Sequence, residues 1–218
     1  MNRTPSPVAS WTFSRLSAPV TRYDETTLEQ MVTLAVEALD VVAGHELLVP
    51  ERVVLQAWRE PFGAAESAAR PSADSTPAEF AAVTGDLRQP VLDLARTRGA
   101  FPEEIHFSGP GAVYDADGGR SEVDDLVHLY VSAFYEVSVR LVTHVDIWLP
   151  HDLRAVEQWD LHEANAPRLR AALAALAELP DVEESHVDKT KYAEVASTEV
   201  LNHIDYFGRA VPVLDQET

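Results

Sequence analysis

Arg140, His144, Asp146 and Trp148 bring a guanidinium, an imidazole, a carboxylate and an indole to even spacings along one apolar-rich run. Even spacing puts side chains on one face of a β-strand, so the four would line a single surface. Asp152 and Arg154 follow in the loop after Pro150, where the strand must end. An aromatic among Arg and carboxylates suits an interaction hot spot or a small-ligand pocket. The alternative is structural: Trp148 packs beneath a helix while Arg140 and Asp146 pair across strands.

Metal chemistry has one candidate set. His128, on a neighbouring strand, could join His144 and Asp146 as ligands for zinc or non-haem iron. No third ligand stands at motif spacing, so neither a metal nor a cofactor is expected. Asp115-Ala116-Asp117-Gly118 opens like a calcium loop but lacks the later acidic ligands, and reads as a hairpin turn. Gly109-Pro110-Gly111 lacks the Lys-Ser/Thr that holds phosphates, and no Gly-x-Ser-x-Gly elbow occurs. With no cysteine in the chain, thiolate nucleophiles, thiolate metal sites and disulfides are excluded. These absences lean away from an enzyme.

Charge is the strongest compositional feature. Asp and Glu number 36 against 17 Lys and Arg, a formal net charge of −19. One acidic run holds Glu103, Glu104, Asp115, Asp117, Glu122, Asp124 and Asp125, interrupted by Arg120 alone. A second holds Glu178, Asp181, Glu183, Glu184 and Asp188, with no base. Such charge repels nucleic-acid backbones and anionic membranes, and steers a cationic partner inward. The first hypothesis is therefore an immunity- or antitoxin-like inhibitor. In it, Glu103, Glu104, Asp115, Asp117, Asp124 and Asp125, or else Glu183, Glu184 and Asp188, mimic phosphates and cover the cleft of a basic bacterial toxin. Two alternatives stay open: an enzyme or small-ligand binder using the Arg140/His144/Asp146/Trp148 face, and a structural or assembly subunit kept soluble by its charge. Self-association is undecided. Met1 to Pro19 lacks the apolar core of a signal peptide, and no stretch reaches the ~18 apolar residues of a membrane span. A cytoplasmic protein is the expectation.

Positioning these residues requires an α+β domain spanning residues 1–218. Strands are predicted over Trp11–Ala18, Val53–Trp58, Ile105–Tyr114, Leu126–Phe134, Tyr135–Trp148 and about Ala193–Leu201. About three helices should pack against this mainly antiparallel sheet. The first spans about 26–42, behind the capping pattern Thr27-Leu-Glu-Gln30. The second starts at Thr76-Pro77-Ala78-Glu79, and Gly85 and Pro90 break it before about Arg98. The third opens at Asn165-Ala166-Pro167 and stops at Pro180. A surface loop is predicted near 61–75, and a loose tail from about 212.

Asp146-Ile-Trp-Leu-Pro-His-Asp-Leu-Arg154 and Asn165-Ala-Pro-Arg-Leu-Arg-Ala-Ala-Leu173 carry a resemblance. The Trp-Leu-Pro, Asp-Leu-Arg and Asn-Ala-Pro-Arg-Leu elements resemble a group of uncharacterised proteins from high-GC bacteria. The resemblance covers roughly the last third of the chain. It implies a shared fold and transfers no catalytic residue. In that group a Gly often follows the Arg; here Ala155 does.

Overall fold

The computed structural model describes residues 1–15, 20, 24–61, 78–81, 89, 92, 93, 100–188 and 190–214. The chain runs β1 (Ala9–Arg15), α1 (Glu25–Gly44), β2 (Arg52–Pro61), β3 (Ala78–Ala81), β4 (Ala100–Ser108), β5 (Pro110–Tyr114), β6 (Arg120–Asp124), β7 (His128–Ala133), β8 (Val137–Thr143), α2 (Trp159–Ala177), β9 (Val182–Val187), β10 (Glu194–Val195) and β11 (Val200–Leu201). Seven strands form one sheet in the order β3-β2-β4-β7-β8-β1-β9. Every described pairing within it is antiparallel. β5–β6 and β10–β11 make two further hairpins. The fold is α+β with a mainly antiparallel sheet.

Alternation builds the core. Trp11, Phe13, Ile105, Phe107, Leu129, Val131, Val139 and Leu141 share the buried face of the sheet. Against it α1 lays Leu28, Met31, Val32, Ala35, Leu39 and Val42, one stripe of a helix. The helix is capped by Asp24, whose Oδ1 accepts from the Thr27 amide at 3.1 Å, so it opens slightly ahead of the Thr27 pattern.

Two helices, not about three, are formed among the described residues. Ala78–Ala81, read from sequence as the start of a helix, is strand β3, with Phe80 opposite Val53. A lone helical turn gains little by itself, whereas this segment completes backbone pairing along β2. Residues 62–77 lie outside the described residues, and so does nearly all of the predicted 61–75 loop. α2 opens at Trp159, six residues before Asn165, and carries Pro167 inside it. Pro167 can donate nothing to the Glu163 carbonyl, but both residues are exposed and water can serve that oxygen.

Two side chains, buried Asn165 and half-buried Arg168, fix α2. Asn165 donates from Nδ2 to the Tyr114 carbonyl at 2.7 Å and accepts from the Tyr114 amide at 3.0 Å, pinning β5 to the helix. Arg168 donates to the carbonyls of His45, Glu46 and Ala112 at 3.0–3.2 Å, tying the end of α1 to the same hairpin. The close approach of chain segments there explains Gly109, where a Cβ would meet the Val49 carbonyl oxygen at 2.1 Å.

The final segment departs from expectation twice. The acidic run after α2 contains edge strand β9, and the single strand predicted near Ala193–Leu201 is the short β10–β11 hairpin. The amides of Val213 and Leu214 donate to the Leu153 carbonyl at 2.9 and 3.0 Å, which ties down these two residues of the predicted tail, while 215–218 lie outside the described residues.

Candidate functional site

Residues between those of the core face point to the opposite side of the sheet. In register, one row there holds Glu104, Ser132, Ser138, Ser14 and Glu183. The next holds His106, Tyr130, Arg140 and Thr12. This face is polar and mostly half-buried.

Tyr130 is its centre. The His106 ring stacks on it at 4.2 Å between centroids, and the Arg140 guanidinium lies 4.8 Å from it. Arg140 also reaches Glu104 at 3.5 Å. Beyond Tyr130, His106 Nε2 lies 3.1 Å from His128 Nδ1, and His144 meets the His128 ring edge-on at 5.5 Å. Burial, reinforced by the neighbouring His128, pushes His106 down to about 4. Burial likewise lowers His128 and raises Glu104 and Tyr130. At neutral pH the two imidazoles are therefore uncharged, and Arg140 supplies the positive charge. Among the described residues, no group of three His, Asp or Glu side chains could hold a metal ion.

Of the predicted Arg140/His144/Asp146/Trp148 set, only Arg140 lies on β8, which ends at Thr143. The alternation that suggested a longer strand continues into a buried loop. There Thr143 Oγ1 donates to the Leu126 carbonyl at 3.1 Å and accepts from Trp148 Nε1 at 2.9 Å, which turns the chain back on itself. His144 is half-buried and its Nδ1 lies 3.2 Å from the Thr4 carbonyl. Trp148 is buried in the core. Asp146 is fully buried and accepts from the Asn2 amide, from Asn2 Nδ2 and from the Leu153 amide at 2.7, 2.7 and 3.2 Å. It anchors the N-terminus instead of facing a ligand. Asp152 Oδ1 accepts from the amides of Arg154 and Val156, making it the organiser of its own turn, while the Arg154 side chain is exposed. Ala155 in that turn has φ 62°, the left-handed region where glycine is at ease.

The acidic runs divide among several elements. Glu103 and Glu104 are half-buried in β4. Asp115 and Asp117 are exposed in the β5–β6 turn, where Asp115 Oδ1 accepts from the Asp117 and Gly119 amides. Asp124 is exposed at the end of β6, and Asp125 pairs with Arg3 and Arg52 at 3.8 and 3.4 Å. Glu183 is exposed in β9 and Glu184 sits opposite Phe13, while the Asp188 amide donates to the Ser10 carbonyl. The first run thus surrounds the β4-to-β6 segment, and the second occupies the far edge of the sheet.

His106 and Tyr130 escaped sequence reading. The available signal was the period of two in polar residues, Glu104 with His106 and His128 with Tyr130 and Ser132, on strands that are otherwise apolar. No family model matches the chain, and comparison with curated proteins and with solved structures finds no match.

Proposed function

We propose that this chain is an acidic binding protein that blocks a basic protein partner, in the manner of an immunity or antitoxin-like inhibitor. The observation that carries the reading is how its arginines are used. Arg15 pairs with Glu37 at 2.6 Å, Arg52 with Asp125, Arg120 with Glu46 and Glu122, Arg170 with Glu199 and Arg209 with Asp205. Arg168 is spent on backbone carbonyls. Among the described residues, these six arginines are thus committed internally, while Glu29, Asp40, Asp117, Asp124, Glu157, Asp160, Glu163, Asp181 and Glu183 remain exposed. That surface draws in a basic partner and competes with its anionic substrate.

Affinity needs apolar anchors as well. Tyr206 and Phe207, 97% and 77% exposed, stand on a turn that Asp205 stiffens by accepting from the Phe207 and Arg209 amides. Ile204 and Leu201 are exposed beside them in sequence. The same patch favours the second reading, an assembly subunit.

Affinity capture from the native lysate, eluted with a salt gradient, tests the inhibitor. The expected ligand is a basic protein that elutes as salt rises. It should be lost when Asp115, Asp117, Glu122 and Asp124 are reversed to Lys. Binding indifferent to salt and to charge reversal would sink the proposal, and stable self-association by ultracentrifugation would put the assembly reading in its place.

A further inference from the structure

A cleft of about 400 Å³ opens on the polar sheet face beside β1 and β8, lined by Ser10, Arg140, Asp188, Lys191 and Tyr192 among others. Its charge is unusual for so acidic a chain, with two cations against one carboxylate. Ser10 is 2% exposed, and its hydroxyl has no hydrogen-bond partner. Ser14 lies four residues on along the same face and is equally buried, but it has a partner. A buried hydroxyl left unpaired is costly, so the fold tolerates at Ser10 a group that an incoming acceptor would satisfy.

The cations are suitably held. Arg140 rests against the Tyr130 ring, and its 3.5 Å contact with Glu104 is long for a charged hydrogen bond. Burial also raises the Glu104 carboxyl, which weakens its claim on the guanidinium. Lys191 extends its ammonium over the Tyr192 ring at 4.9 Å, on the same cleft. Arg140 also lines a second depression of about 310 Å³, with Thr12, Ser132 and Ser138, where the carboxylates of Glu103 and Glu104 disfavour an anion and leave the oxyanion to the first cleft.

We propose that this cleft binds a small molecule through its oxyanion group, a carboxylate or a phosphate, held by Arg140, Lys191 and the Ser10 hydroxyl. Arg140 exchanges Glu104 for the ligand, and Ser10 gains the partner it lacks.

Titration calorimetry at fixed ionic strength, with inorganic phosphate in one series and acetate in the other, tests the site. Saturable binding of at least one is expected, and the stronger series tells which oxyanion the cleft takes. Ser10→Ala should weaken binding about tenfold, equivalent to about 1.4 kcal/mol, since it removes one hydrogen bond to the bound oxyanion. The same substitution should leave the melting temperature of the free protein unchanged or higher, because it removes a desolvated hydroxyl. Arg140→Gln, an exposed position, should reduce binding further. A lowered melting temperature with unchanged affinity in Ser10→Ala would assign the residue to structure alone and overturn the proposal. So would the lack of saturable binding by either anion, or binding that survives both substitutions. No basic protein enters the experiment, so its failure leaves the inhibitor reading standing.

Discussion

His106 Nε2 lies 3.1 Å from His128 Nδ1, so two neutral imidazoles share one hydrogen bond across the seam between β4 and β7. One ring must donate and the other accept. A first proton must be carried in a half-buried site beside Arg52 and Arg140, with Asp125 as the opposing acid, and a second would set two N–H donors against each other.

Stability should therefore fall with acid through this pair. His106 takes its proton near 6.5 in the unfolded chain and near 4 in the fold. Its contribution is complete above pH 6.5 and is lost as pH drops towards 4. Given the partial solvent exposure, the loss is on the order of 1–2 kcal/mol. Carboxylates titrate over the same range, so the measurement is the difference between wild type and His106→Gln in melting temperature from pH 7 to 4.5. Parallel curves for the two proteins would refute it.

Asp146→Ala should cost about 2–4 kcal/mol, because three N–H donors from Asn2 and Leu153 lose a buried carboxylate. The N-terminal residues should also become protease-sensitive. Chemical denaturation and limited proteolysis check both effects. An unchanged cleavage pattern would mean that the segment is held by other contacts.

Arg168→Lys keeps the charge but loses the planar fork that serves three carbonyls on two segments. A destabilisation of about 1–2 kcal/mol is expected. Hydrogen exchange should accelerate in the β5–β6 hairpin more than in β7 and β8. Uniform acceleration would deny Arg168 its local role.

Ala155→Gly should stabilise the protein by about 0.5–1 kcal/mol, since φ 62° strains any residue with a Cβ. A denaturant midpoint raised at constant slope is the signature. A lowered midpoint would show that the flexibility added to the unfolded chain outweighs the strain relieved.

How much of this was legible varies by element for physical reasons. α1 declared itself through a stripe of Leu28, Met31, Val32, Ala35 and Leu39, because one buried face is all a surface helix needs. β3 was misread because Pro77 and Glu79 carry local helix signals, whereas its pairing partner Val53 lies far away in sequence. The Arg140-to-Trp148 stretch was half right. Alternation of apolar residues cannot distinguish a strand from a buried loop, and the turn at Thr143 depends on contacts with Leu126 and Trp148 that no periodicity encodes. The polar face was hidden for the same reason. His106, Tyr130 and Arg140 are brought together by strand register, and Ser10 joins them only when β1 enters the sheet.

That entry has a consequence for how the chain is made. β1 is synthesised before both of the strands that flank it in the sheet, β8 and β9, which end at Thr143 and Val187. A ribosome must extend the chain past Thr143 before β1 has either neighbour, and past Val187 before both are present. Until then Trp11 and Phe13 have no finished sheet to join. This part of the sheet therefore closes only once β9 is made, and a nascent chain stalled before β9 would present an open strand edge that chaperones can recognise.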